Sequence, residues 1–198
     1  MTKKPRIVIE HLEPELSEWL WYEYANASKI AGREFIWFTN VRDDQTFKSL
    51  NKLGTVKREN ILELLPHEDL VILDPQAAEP LTPRDCDREA VLVVGGILGD
   101  RPPKGRTKSL LTKRAPRARA RQIGDHQFAI DGSVYVALEV ARGKFLQEIP
   151  IKRGLVLKKK LGRRGWHEIE LPYAYPLVKE SPLISKELIN YLLREESK

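Results

Sequence analysis

Ala90-Val91-Leu92-Val93-Val94-Gly95-Gly96-Ile97-Leu98-Gly99-Asp100-Arg101-Pro102-Pro103 carries the reading of the fold. Its first five residues are apolar and mostly β-branched, and two glycines halt the run, so it predicts a strand. No polar residue alternates within it. Such a strand is covered by helices on both faces and belongs in the middle of a parallel sheet. The turn that follows lies at the carboxyl edge of that sheet, where loops and backbone N–H groups of open α/β folds converge on ligands. Gly95 and Gly96 let a ligand approach the main chain closely. The string matches neither the GxGxxG dinucleotide fingerprint nor a P-loop, and a Gly-rich turn alone serves structure as readily as function.

Upstream, Ile7-Val8-Ile9 reads as the first strand, and Pro14 suits the first turn of a helix. Leu16, Trp19, Leu20, Tyr24, Ala27 and Ala31 recur at helical spacing until Gly32 stops them. Residues 34–38 form a second strand. One or two helices follow between Asp44 and Leu65, broken near Gly54 and ended at Pro66. Val71-Ile72-Leu73 is a third strand, also central, stopped by Asp74-Pro75. Downstream, residues 118–123 are a fifth strand and 127–142 a helix burying Ile130, Val134, Ala137, Leu138 and Ala141. After Gly143 the expectation is short strand-like pieces, a Lys/Arg-rich turn, a proline-punctuated loop at Leu171-Pro172-Tyr173-Ala174-Tyr175-Pro176, and a last helix over 185–194. Strands alternating with helices define an α/β class with a mostly parallel sheet. Residues 1–143 form its domain, and 144–198 an extension packed on it.

The chain has 198 residues, 41% of them hydrophobic and 31% charged, enough for one soluble domain and unlike a disordered tail. Its formal charge of +6 is unevenly spread. Between Arg101 and Gly124 there are nine basic residues and no acid, and between Ile151 and Trp166 seven more, again without an acid. Those stretches hold sixteen of the 34 bases and none of the 28 acids, so the remainder carries a net charge of −10. One cysteine, Cys86, permits no internal disulfide and no paired-Cys zinc site; no metal is expected. No apolar run reaches the roughly 20 residues of a membrane span. The start opens into a strand rather than a signal-peptide core, which points to a cytoplasmic protein.

Three turns at the ends of three parallel strands, after Leu73, after Val94 and at Gly124-Asp125-His126-Gln127, can enclose one small molecule. Here a resemblance enters. Ile9-Glu10-His11 with Glu13 and Ser17-Glu18-Trp19, Leu73-Asp74-Pro75, Gly95 to Pro103 with Arg106-Thr107, Gly124-Asp125 with Gln127 and Asp131, and Glu170-Leu171-Pro172-Tyr173 together resemble one group of SPOUT-class methyltransferases. A eukaryotic member of that group methylates an arginine of a small-subunit ribosomal protein. The resemblance implies an α/β sheet with a carboxyl-terminal trefoil knot and S-adenosylmethionine held in three loops, 73–77, 95–100 and 122–130. The contacts it implies come from Leu73, Asp74, Pro75, Gly95, Gly96, Ile97, Leu98, Gly99, Gly124, Asp125, Gln127 and Ile130. The segment 52–70 is short against the eukaryotic pattern, and the basic run 113–121 is heavy.

Methyl transfer from a sulfonium is an in-line displacement, so catalysis is mostly alignment. A guanidinium is protonated at neutral pH and a poor nucleophile. Carboxylates can hold its planar fork bidentately, and one can accept the departing proton. Glu10, Glu13 and Asp100 are the candidates, with Arg106 pairing the methionine carboxylate or the acids. Read blandly, Glu10 and Glu13 favour a helix start, His11 is structural, and Arg106 is solvated. Trp19, Trp21 and Trp37 read as core or interface, and Tyr173 and Tyr175 as packing or a substrate wall. The basic stretches suit phosphate contacts on rRNA or an RNA-laden particle, or an edge strand whose arginines discourage pairing.

Three functions are consistent with this sequence. They are a protein-arginine methyltransferase acting on a ribosomal protein or subunit, an RNA methyltransferase acting on rRNA or tRNA, and a non-catalytic adaptor in ribosome assembly. SPOUT proteins are usually dimers, whereas the arginine-modifying relatives look monomeric, so both monomer and homodimer stay open.

Overall fold

A computed structural model describes residues 4–87, 90–99, 102–160 and 165–195. β1 (Arg6–His11), β2 (Ile36–Thr39), β3 (Thr55–Val56), β4 (Leu70–Leu73), β5 (Val91–Gly96) and β6 (Arg119–Arg121) form one sheet in the order β3-β2-β1-β5-β4-β6. Every pairing in it is parallel. β5 sits centrally beside β1, and β4 is flanked by β5 and the edge strand β6. The continuous apolar runs of β4 and β5 are buried on both faces, as their lack of alternation requires.

Helices α1 (Glu18–Ala31) and α5 (Ile130–Ala141) cover one face, packing Leu20, Tyr24, Val134 and Ala137 against Ile7, Ile9 and Leu92. On the other face Val8, Ile72 and Val93 meet Ile61, from the short helix α3 (Ile61–Leu64), and Leu111 and Ala115, which follow α4 (Arg106–Leu110). Alternation along β1 therefore decides that Ile9 points toward α1 and Glu10, in phase with Val8, toward α3.

Two local expectations change, at the starts of α1 and α5, and the helices expected between Asp44 and Leu65 gain a short strand between them. Pro14 does not open α1: the helix begins at Glu18, where Ser17 Oγ accepts the Leu20 N–H at 3.2 Å, a stronger signal than an N1 proline. Gly32 does end it, with φ +83°. Between Asp44 and Leu65 lie α2 (Asp44–Leu50), α3 and the two-residue β3, which is too short to show a period. The helix expected over 127–142 starts at Ile130, leaving 127–129 in the loop.

The carboxyl-terminal part departs most. Instead of short pieces it is an antiparallel hairpin of β7 (Ile151–Lys160) and β8 (Trp166–Val178), followed by β9 (Ser181–Pro182) and α6 (Lys186–Glu195). The Leu171 to Pro176 segment lies within β8 and is no loop. Pro172 is tolerated because the register shifts at Gly154, so the ladder is already interrupted opposite it. Leu155, Leu171, Tyr175, Leu188 and Leu192 cluster with Trp19 and Tyr22, which anchors this part on α1. No helix among the described residues is long and apolar enough to cross a membrane.

Candidate functional site

The carboxyl ends of β4, β5 and β6 open into three loops that line one cavity of about 210 Å³. Leu73, Asp74 and Pro75 from the first loop line it, with Gly95 and Ile97 from the second and Asp125, Gln127 and Ile130 from the third. Arg106, at the start of α4, also reaches the wall. Gly96, Leu98, Gly99 and Gly124 lie in the same loops but not in the wall.

Each loop is held by identifiable contacts. Asp74 is buried; its carboxylate accepts the Gln76 N–H at 2.9 Å and the Thr112 hydroxyl at 2.7 Å, closing the first loop on itself and on the turn after α4. In the second loop the Leu98 backbone is clamped on both sides. Its N–H donates to Glu13 Oε1 at 2.8 Å, and its carbonyl accepts from Arg106 Nη2, while Arg106 Nη1 lies 2.9 Å from the same Glu13 oxygen. The third loop is tied to β8 by the Ala174 N–H donating to the Gln127 carbonyl at 2.9 Å. At Gly99 the second loop, the third loop and β8 meet: a Cβ there would lie 2.0 Å from Gln127 Nε2 and 2.5 Å from Tyr173 Cε1. Only glycine fits.

Neither of the two described acids expected on the acceptor side, Glu10 and Glu13, lines the cavity. Glu10 is buried on the α3 face, accepting the Thr39 hydroxyl and the Ile61 N–H, the latter at 3.0 Å, and does not line the cavity. Burial pushes its carboxyl above the usual range, against the pull of the Thr39 and Ile61 hydrogen bonds. The cause is strand alternation, which sends Glu10 to the face opposite α1. Glu13 is engaged with Arg106 and Leu98, outside the wall. Asp100 lies outside the described residues. His11 is buried, its Nδ1 3.0 Å from the Tyr24 hydroxyl, the structural role.

Among the wall residues, Lys104 and Ser133 carry no signal in the sequence, whereas Thr107 belongs to the string that carries the resemblance, and Gln76 and Phe128 lie within the loops it implies. Gly105, with φ +63°, turns the chain so that its own Cβ position would lie 2.9 Å from Gln76 Oε1, a close approach that a lone glycine between charged residues does not announce. His126 is a wall residue whose Nε2 lies 2.9 Å from Asp125 Oδ1. Its signal is present, because it sits inside the strand-end string from Gly124 to Gln127. Leu73, Val94, Ile123, Phe128 and Ile130 make much of the wall apolar, while Asp125, Gln127, Arg106 and Thr107 add polar groups. That mixture suits a flat ring at one end and a charged chain at the other. Among the described residues no three His, Cys, Asp or Glu side chains are grouped to hold a metal ion.

A parallel sheet with a ligand cavity built from three successive strand-end loops is the arrangement of the SPOUT-class methyltransferases. The dual specific Trm10 from Thermococcus kodakaraensis shares this fold at 16% identity, covering 73% of this chain and 96% of that one, with a TM-score of 0.54. A nearer match is the yeast arginine methyltransferase SFM1 in its crystal structure complexed with SAM, at 25% identity over 98% of this chain and 92% of that one, with a TM-score of 0.83. In sequence, protein arginine N-methyltransferase SFM1 of Saccharomyces cerevisiae is 31% identical over 206 residues, covering 97% of this chain and 95% of its own. Residues 6–198 match the family described as protein arginine N-methyltransferase SFM1-like, and this chain belongs to that family.

Proposed function

We infer that the protein is an S-adenosylmethionine-dependent methyltransferase that modifies an arginine side chain, with a ribosomal protein as its substrate. The observation that carries this is one cavity lined by all three strand-end loops, in a chain 31% identical to yeast SFM1 along nearly its whole length. The cofactor fits the wall: apolar residues Leu73, Ile123, Phe128 and Ile130 suit an adenine, and Arg106 and Thr107 suit the methionine end. The trefoil knot implied by the resemblance belongs to the same reading.

Bound there, the cofactor supplies an electrophilic methyl on a sulfonium. The protein's own part is alignment. The Glu13–Arg106 clamp holds the second loop, and the contact of Gly99 with Gln127 and Tyr173 holds the second and third loops against β8. As the N–C bond forms and the S–C bond breaks, one guanidinium N–H proton leaves. Glu13 and Asp100 remain the carboxylates assigned to the acceptor side, and Glu10 does not. Exposed lysines of the basic stretches are assigned to rRNA around the substrate, in a cytoplasmic setting and as a monomer or homodimer.

Purified ribosomal subunits incubated with the protein and cofactor carrying a labelled methyl test this, followed by separation of protein from RNA. Label on a ribosomal protein, recovered as methylarginine after hydrolysis, is the expected result. Label confined to RNA would overturn the arginine assignment, and calorimetry showing no cofactor binding would overturn the enzyme assignment.

A further inference from the structure

Glu23 on α1 and Asp131 on α5 are both buried, at 3% and 2% exposure, and neither pairs with a lysine or arginine among the described residues. Their four oxygens are served by four N–H donors instead. Trp19 Nε1 donates to Glu23 Oε1 at 2.6 Å and the Ile130 N–H to Oε2 at 2.9 Å. Asn26 Nδ2 donates to Asp131 Oδ2 at 2.7 Å and the Gly132 N–H to Oδ1 at 2.8 Å. Glutamine or asparagine, with one acceptor oxygen and an NH2 donor, could take only one bond of each pair, so the four N–H donors call for a carboxylate at both positions and set two acidic groups side by side in the interior. Burial raises both carboxyls, and the proximity of Asp131 raises Glu23 further, so the pair holds a proton more tightly than free acids would.

The second observation is where the pair ends. Ile130, whose N–H it holds, is part of the cavity wall. On the other side Trp19 meets Tyr173 edge-on, with ring centroids 6.3 Å apart, and the Tyr173 hydroxyl donates to the Gly99 carbonyl at 3.4 Å. The carboxyls thus lie between the second and third loops, directly behind the wall.

We propose that Glu23 and Asp131 are positioning residues that set the charge behind the cofactor cavity, so that the cationic sulfonium is bound in preference to the neutral thioether left after transfer. This rests on the reading that the cavity takes S-adenosylmethionine. Cofactor and product differ in charge at sulfur and are otherwise closely alike, so the ratio of their affinities isolates the charge contribution, and a dry interior strengthens it.

The test is calorimetric binding of S-adenosylmethionine and S-adenosylhomocysteine to the full chain and to Glu23→Gln and Asp131→Asn. Each variant is expected to lower the preference for the sulfonium at least about threefold, mainly by weakening the cation. Trp19→Phe, which removes a donor but leaves both acids, keeps the ratio. Parallel weakening of both ligands, with an unchanged ratio, would show plain scaffolding and overturn the proposal. If both acid variants fail to fold, the ratio is followed with pH in a His126→Gln background, which silences the imidazole in the wall. The groups facing the pair are then each other, Tyr24 on α1, and Tyr173 and Tyr175 on β8. Preference for the sulfonium should rise with pH above the ordinary carboxylate range as the pair ionises, and a flat ratio would refute the idea. Failure of the unmodified protein to bind either ligand would instead strike at the cofactor reading itself.

Discussion

The two basic stretches look alike in sequence and are put to different use. In the first, between Arg101 and Gly124, arginines are spent on structure. Arg106 clamps Glu13, Arg121 Nε lies 3.0 Å from Asp85 with Arg119 at 3.8 Å from the same oxygen, and Arg121 also reaches Glu79 at 2.9 Å. Arg117 lies 3.8 Å from Glu68 on the surface. In the second stretch, Ile151–Lys160 forms one strand of a hairpin, where cross-strand register sets Lys158 opposite Glu168, with a 2.6 Å ion pair, and Lys160 opposite the exposed Trp166. A run of like charge therefore does not define a surface of like charge. Acids far away in sequence decide how much of it faces solvent.

Four variants would break or sharpen that contrast. Arg106→Ala should have the largest effect, because it releases both the Leu98 carbonyl and Glu13: cofactor affinity measured by calorimetry should fall about tenfold or more. Retained affinity would mean that Leu98 is held by other groups. Asp85→Asn comes next, leaving two arginines of edge strand β6 without their shared carboxylate, and should cost about 2 kcal/mol in urea unfolding. Burial raises the Asp85 carboxyl, but hydrogen bonds from Arg121 and Thr82 outweigh it, and the net shift is downward. The contribution is then present at neutral pH and lost on acidification below the ordinary carboxylate range, so the variant's stability should change less in acid.

Smaller effects distinguish the second stretch. Lys158→Ala with Lys160→Ala should change stability by less than about 0.5 kcal/mol while lowering the salt slope of binding to ribosomal subunits by about 0.9 for each phosphate no longer neutralised. An unchanged slope would make the hairpin a solvated face. Arg117→Ala should do least, within about 0.5 kcal/mol of the parent in thermal or urea unfolding, since its partner lies at the edge of ion-pair distance with both side chains exposed.

Legibility followed the range of the interactions. Ala90 to Val94 declared a central strand because burial on both faces removes polar residues, a constraint written locally. The stop at Gly32 was equally local. Pro14 read as the start of α1, and the hydrogen bond from the Leu20 N–H to Ser17 Oγ, a contact only the folded chain makes, places the start after Ser17 instead. β8 was hidden because its prolines read as loop until a partner strand with an irregularity at Gly154 stood opposite. The three loops that line the cavity were legible from strand ends together with the resemblance. The acids were not, since period two places Glu10 with Val8 without saying which face meets which helix.

The amino-acid sequence by itself determined the alternation of strands and helices, the position of the glycine turns and the family resemblance, because each depends on neighbours a few residues away. Tertiary structure alone decided the fate of the charges. It set Glu10 against Thr39 and Ile61, spent Arg106 on Glu13 across 93 residues, and joined Glu23 to the Ile130 N–H across 107. The energy of a charge depends on its solvent and its nearest partners, and both are set by packing rather than by position along the chain.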